Sequence, residues 1–256
     1  MKEKLSEIVE KRESKTGLYF DYFIQVLILV SIVSFCFTNT HAQEKAWSLD
    51  VSGNVGLSYR ALIDNDKAPS NESIITLRDE QEMPSFCGGT SLNGSYQWNP
   101  FFQLSLGVEY FNLSWKTKKM ALYFENPDPF LPQHIRIIDA FDYIGLPLQI
   151  KAILPMKLWQ FQGVFLYEEA ILISSRSTNI QYYSDHKEQS TSPSMYAYKR
   201  QNSFLGLSLV AKRKISPKMD VQLDLGMKVG TRKIIDAPIS ARVYSTGLGV
   251  GISYTL

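Results

Sequence analysis

Two stretches decide the fold: "STGLGVGISYTL" (245–256) and "WSLDVSGNVGLSYR" (47–60). In the first, Leu248, Val250, Ile252, Tyr254 and Leu256 fall on one side of an extended strand, and Gly247, Gly249, Gly251, Ser253 and Thr255 on the other. In the second, Trp47, Leu49, Val51, Val55, Leu57 and Tyr59 share a face with Gly53, while Ser48, Asp50, Ser52, Asn54, Gly56, Ser58 and Arg60 share its opposite. Side chains of a strand alternate with period 2, so each segment is a two-faced strand well beyond the five or six residues usual in globular proteins.

The same alternation returns in "MDVQLDLGMKVG" (219–230), "FCGGTSLNGSYQW" (86–98) and "FFQLSLGVEY" (101–110). It is less regular in "DYIGLPLQIKAIL" (142–154), "LWQFQGVFLYEEAILIS" (158–174) and "NSFLGLSLVAKRKI" (202–215). That makes eight strands. Tight connections with turn residues, "NP" (99–100), "PMK" (155–157) and "SPK" (216–218), alternate with long polar segments at about 61–85, 116–138, 175–201 and 231–240. Short turns on one side, long loops on the other and an even strand count mark a transmembrane barrel.

The two faces support this. The polar face is rich in Gly, Ser and Asn, suited to a crowded lumen, and the apolar face is aliphatic with aromatics at its ends: Trp47 and Tyr59, Tyr244 and Tyr254. Strands of ten to twelve residues tilted about 40° rise roughly 25–30 Å, the height of a lipid-facing band between aromatic girdles. The expected fold is an all-β, eight-stranded antiparallel up-and-down transmembrane β-barrel over 43–256, with short periplasmic turns, both termini periplasmic, and long extracellular loops. A soluble β-sandwich is the alternative.

Composition narrows the role. The 27 basic and 25 acidic residues nearly cancel, and the five of each sign in residues 1–43 leave the rest equally balanced, so no basic stripe points to nucleic acid. The apolar run 22–37, "YFIQVLILVSIVSFCF", follows Lys11, Arg12 and Lys15 and leads to Thr40 and Ala42, which suit a signal-peptidase site. Residues 1–42 are read as a signal peptide with a long amino-terminal region. The competing reading is an uncleaved anchor. Bulky Phe35 ahead of Cys36 argues against a lipoprotein. After cleavage only Cys87 remains, so no intramolecular disulfide is expected. His41, His134 and His186 are scattered, "DND" (64–66) lacks the glycine and closing glutamate of a calcium loop, and neither a metal nor a cofactor is expected.

"YIGLPLQIK" (143–151), which leads from a long loop into a strand, resembles the strand motif of the PorT-like outer-membrane β-barrel proteins. Leu146, Pro147 and Leu148 carry it, with Lys151 at the basic position and Gly145 where that family often has an acid. The resemblance implies the fold and an outer-membrane location in a Gram-negative cell; the family includes a component of a secretion apparatus. A proline cannot donate to a ladder, so a local bulge is expected at Pro147.

Inward-facing charges form one candidate site: Asp50, Arg60, Glu109, Lys151, Asp220, Asp224 and Lys228. They read either as a proton path, ion filter or ligand site, or as a paired plug. An eight-stranded lumen is only wide enough for side chains to fill it, and buried charges need partners, which favours the plug. Adjacent Glu168 and Glu169 cannot both face inward in a regular strand, so a bulge or an interfacial position is expected there. The third loop offers Tyr182, Tyr183, Tyr196 and Tyr198 among small polar residues, a mixture suited to binding. The role expected is structural or interactive and non-enzymatic, through the loops or within an envelope or secretion assembly. Alternatives are a lipid-modifying enzyme using His134 or His186, and a narrow solute or proton conduit. Partners expected are outer-membrane lipid, lipopolysaccharide and the barrel-assembly machinery, for which "GVGISYTL" resembles the carboxyl-terminal signal, with Leu256 where an aromatic is more usual.

Overall fold

A computed structural model describes residues 47–256 apart from 127, 129, 157 and 195–197. The expected signal peptide, and Tyr196, lie outside the described residues. Ten strands follow in order: β1 (Trp47–Asp64), β2 (Glu82–Asn99), β3 (Phe102–Thr117), β4 (Met120–Ala121), β5 (His134–Pro155), β6 (Trp159–Tyr182), β7 (Lys187–Pro193), β8 (Gln201–Ser216), β9 (Met219–Gly230) and β10 (Ile239–Thr255). Eight of them close a ring, β1-β2-β3-β5-β6-β8-β9-β10, all neighbours antiparallel, and β10 returns to β1. The seam is the pair of segments on which the sequence reading turned: Leu49 faces Tyr254, Val51 faces Ile252 and Tyr59 faces Tyr244.

The register fixes the shape. Partners followed once around the ring from Leu49 run Gly94, Leu106, Leu148, Tyr167, Leu205, Val229, Tyr244 and Tyr59. The path returns to β1 ten residues beyond its start, a shear of ten for eight strands. Those two integers set a strand tilt of about 40° and a backbone radius of roughly 8 Å. Such a lumen is filled by side chains, and small ones are required where backbones cross closely. At the Gly56–Gly247 pair a Cβ on Gly56 would stand 2.1 Å from the Thr246 carbonyl oxygen.

The polarity is inverted relative to a soluble barrel. Leu, Val, Ile and Phe side chains of all eight ring strands point outward and stay exposed, among them Val55, Phe86, Leu106, Leu146, Phe165, Leu209, Leu225 and Leu248. Ser, Asn, Asp and Lys side chains are buried inside. An exposed apolar surface this continuous belongs in lipid, not water. Aromatics edge it: Trp47 against Tyr96 (4.9 Å between centroids) at the turn end, and Tyr59 against Tyr244 (5.9 Å) at the loop end.

Several loop-end segments are more ordered than their polarity suggests. The first loop carries a helix, α1 (Pro69–Gln81), started by a proline in its first turn. The acidic residues ahead of it act as a turn: Asp64 Oδ1 accepts from the backbone N–H of Asp66 (3.1 Å) and Lys67 (2.9 Å) and from Asn71 Nδ2 (2.8 Å). The third loop is largely a hairpin of β6 with β7, and β4 adds to β5, so β4-β5-β6-β7 form a polar ledge beyond the apolar belt.

The bulge expected at Pro147 is absent. The β3–β5 register is the same on both sides of it, with Leu106 opposite Leu148 and Glu109 opposite Gly145, and buried Pro147 interrupts only the ladder pairs between them. The β5–β6 irregularity falls instead at Asp142/Tyr143, where Ile173 is the extra residue of β6. That bulge inverts the phase of β6 above it and brings Arg176 to the outer face beside Asp142 (2.7 Å). Below it β6 is regular, so Glu168 points inward and Glu169 outward, at the loop-end edge of the belt. There Glu169 accepts from Ser203 Oγ (2.7 Å) and from the Tyr167 hydroxyl and faces Arg232 (3.4 Å). The interfacial alternative for this pair is the correct one.

Candidate functional site

Register and burial order the lumen into layers from the turn end upward. The lowest is centred on Asp50 of β1. Its carboxylate accepts from Lys151 Nζ of β5 (2.8 Å), Lys212 Nζ of β8 (3.2 Å) and Ser95 Oγ of β2 (2.7 Å), while Lys212 also reaches Ser253 Oγ (3.2 Å). Four strands are tied across the lumen by one carboxylate. Above this floor lies a cavity of about 130 Å³ lined in part by Asn93, Gln149, Gln162 and Asp224.

The roof is Lys228 of β9, which donates to Glu109 Oε1 of β3 (2.6 Å) and Glu168 Oε2 of β6 (2.9 Å), with Nζ 4.6 Å from the Phe111 ring centroid. Glu168 has room because its carboxylate lies against Gly145, diagonally across β5: a Cβ there would stand 1.9 Å from Oε1 of Glu168. The glycine that departs from the PorT-like pattern thus makes space for an acid supplied by the neighbouring strand.

Above the roof the lumen turns aromatic. Phe111 stacks on Tyr143 (5.3 Å, 13°), Phe204 meets both edge-on (5.3 and 5.8 Å), and Trp115 stacks on Phe141 (4.6 Å). Leu113, Ala170, Ile234, Ala241 and Val243 pack into this cluster, and Tyr198 packs edge-on against Phe141 (4.6 Å). At its top the Arg60 guanidinium lies 4.4 Å over Trp115 and pairs with Glu82 (Nε to Oε2, 2.9 Å).

Six of the seven inward charges read from the sequence therefore lie within these layers. They do not form one network: Asp50 with Lys151, Glu109 with Lys228, and Arg60 form three separate levels, and Asp224 faces the cavity. Asp220 sits apart at the turn end, opposite Lys214 and Ser253, and is only partly buried. Sequence reasoning missed Lys212, Glu168 and Glu82. The first two were within reach, because the alternation of Leu205, Leu207 and Leu209 turns position 212 inward and that of Phe161 and Phe165 does the same for 168. Glu82 carries no such signal; only the end of α1 shows where β2 begins.

The tyrosine set divides. Tyr182 lies at the end of β6 under Lys119 (4.6 Å), opposite His134 and Lys187. Tyr183 stacks on His186 (4.4 Å, 3°) at the hairpin tip and donates to Glu188 Oε2 (3.2 Å). Tyr198 belongs to the aromatic layer. His186 Nδ1 is 2.7 Å from Asp185 Oδ1 and its Nε2 is 3.6 Å from Glu188; these carboxylates hold its pKa above the ordinary histidine value. Second-loop Tyr123 (94% exposed) and Phe130 (85%) stand in solvent. Among the described residues no three His, Cys, Asp or Glu side chains converge as a metal site.

No family model matches the chain, and neither does any curated protein. Solved structures whose backbones align with it include the outer membrane protease OmpT from Escherichia coli, at 9% identity and TM-score 0.41 over 85% of this chain and 100% of that one. The outer membrane protein OprG from Pseudomonas aeruginosa aligns at 9% identity and TM-score 0.39 over 83% and 97%. Ail, the attachment invasion locus protein of Yersinia pestis, aligns at 11% identity and TM-score 0.34 over 82% and 100%.

Proposed function

We propose that this chain is an outer-membrane barrel of a Gram-negative cell that acts by recognition at its extracellular rim, as a structural or interaction protein without catalysis or conduction. On this reading the ledge and loops are extracellular and the tight turns periplasmic. The observation that carries it is the contrast between the two ends of the lumen axis. The interior is closed by a stacked aromatic layer over paired charges, while the strands continue past the apolar belt into an ordered ledge presenting Tyr182, Tyr183 and the β7 edge. A filled lumen supplies rigidity, and rigid scaffolds hold binding loops in place. The strand β7 is exposed along its length and, among the described residues, pairs only with β6, a geometry that accepts an extended segment of a partner by strand addition. The resemblance of "YIGLPLQIK" to the PorT-like motif supports an envelope or secretion assembly as the setting. Export on a signal peptide cleaved near Ala42 belongs to the same proposal.

Site-specific photocrosslinking in intact cells at Tyr182 and Tyr123 tests it. Adducts with defined envelope or surface partners that disappear when residues 183–186 are replaced by a two-residue turn are expected. No adducts at either position, together with a silent phenotype on removal of the hairpin, would refute the proposal. Planar-bilayer recording should be silent after verified insertion.

A further inference from the structure

The cavity between floor and roof has an unbalanced charge. Four carboxylates lie in and around it, Asp50, Glu109, Glu168 and Asp224, against three ammonium groups, Lys151, Lys212 and Lys228. Each ammonium is already engaged: Lys151 and Lys212 with Asp50, and Lys228 with Glu109 and Glu168. Asp224 has no ion pair among the described residues. Ser208 lies beside its carboxylate, Lys151 and Lys228 act on it only from beyond ion-pair distance, and its Oδ1 is buried without a partner. Two further side chains lining the cavity carry unpartnered buried atoms: Oε1 of Gln162 (2% exposed) and Oδ1 of Asn93 (4% exposed). The amide of Asn93 is oriented by its Nδ2, which donates to Ser91 Oγ (3.0 Å).

All three unpartnered atoms on the cavity wall are acceptors, so the space calls for an occupant that offers positive charge or donors. Buried acceptors left unmet are costly, and a buried uncompensated carboxylate more so. Water alone would meet the acceptors but not the charge. A divalent ion would overshoot a deficit of one and would need more carboxylates than converge here. From these observations we propose that the cavity binds one monovalent inorganic cation, with Asp224 as its charged ligand and the amide oxygens of Asn93 and Gln162, with water, as neutral ones. The cation is a fixed structural occupant, with Lys228 and Phe111 on the wall above it and the Asp50 floor below. This depends on the lumenal cavity and not on what the rim recognises, so failure of either leaves the other standing.

The test uses the purified folded barrel in detergent. Its thermal unfolding is followed in KCl, NaCl or RbCl and in N-methyl-D-glucamine chloride at equal ionic strength. A saturable rise of the midpoint with one of the small cations is expected, because a ligand that binds only the folded state stabilises it by mass action. Asp224→Asn, which keeps the shape and removes the charge, should abolish the rise; Gln162→Met should weaken it. Crystals grown in RbCl should show one anomalous peak in the lumen beside Asp224. Should Asp224→Asn fail to fold, that peak and the Gln162→Met titration still decide the matter. Equal midpoints in all four salts with no lumenal peak would overturn the proposal in favour of water or a proton. Cation dependence that survives Asp224→Asn would overturn it as well.

Discussion

Replacing Lys228 by Met removes the one cation that separates Glu109 from Glu168. Both charge-assisted bonds, 2.6 and 2.9 Å, are lost together. Two buried carboxylates then face each other beneath the Phe111 ring with no compensating charge. Removing one partner of a buried ion pair costs about 3–5 kcal/mol, because the remaining charge keeps its desolvation penalty. For a domain of this size that corresponds to a fall in unfolding midpoint of roughly 6–20 °C. The assay is the shift between folded and unfolded bands on a gel after stepwise heating, checked by tryptophan fluorescence. The companion variant, Lys228→Met with Glu109→Met and Glu168→Met, discards the whole triad for apolar groups of similar volume. It should recover to within about 1 kcal/mol of the native protein or exceed it, as buried triads replaced by apolar residues do elsewhere. A Lys228→Met barrel as stable as the native one would refute the roof as a paired layer. A triple variant no better than the single one would show that packing, not charge, sets the loss.

Gly145→Ala should destabilise by about 1–3 kcal/mol, since its Cβ would overlap the Glu168 carboxylate, and most of that loss should vanish in a Glu168→Ala background, as measured by a double-mutant cycle. Phe204→Ala, which removes the ring touching both Phe111 and Tyr143, should cost about 3–5 kcal/mol in urea unfolding. Deleting Tyr254–Leu256 removes the Leu256 N–H bond to the Trp47 carbonyl (2.9 Å) and the last two seam pairs, Leu49–Tyr254 and Ser48–Thr255; no heat-modifiable folded band should form. The pKa of His186 is raised by its hydrogen bond to Asp185, so the order it gives the hairpin tip is present at low pH and lost as pH rises through that raised value. An imidazole titration by NMR should show this, and Asp185→Asn should move the midpoint back toward the ordinary histidine value.

The barrel was legible because its seam strands are regular: every outward residue of 47–59 and 248–256 is apolar or glycine, and period 2 leaves one arrangement open. The loop-end structure was not legible, for physical reasons. The helix α1 has a polar, weakly amphipathic sequence and is positioned by the Asp64 turn, and the upper part of β6 reverses phase at Ile173, which periodicity cannot anticipate. The lumenal floor was half visible. Asp50 stands in a clean alternation and Lys151 is the single cation of the less regular stretch 142–154, whereas Lys212 sits in "AKRKI", where three successive cations compete and only the phase carried from Leu205, Leu207 and Leu209 selects the inward one. The aromatic layer was missed because Phe111 and Trp115 continue β3 beyond Tyr110 on its other face, and interior aromatics read like girdle residues until the phase is tracked.

Seventeen residue pairs join β1 to β10, from Ser48–Thr255 to Asp64–Ile239, and these are the first and last strands of the described chain. The other ring pairings join strands adjacent in sequence or separated by one short strand, and can form as local hairpins. The seam alone brings together segments from opposite ends, so the entropy of closing the largest loop falls on it and it forms last. Until it does, β1 and β10 are two long, unpaired edges of matched register and alternation. Each can template the partner edge of a second unclosed copy as readily as its own. Assembly is thus a race between ring closure and chain-to-chain pairing. A factor that occupied the β1 edge until β10 arrived would decide that race without contributing a single contact to the finished barrel.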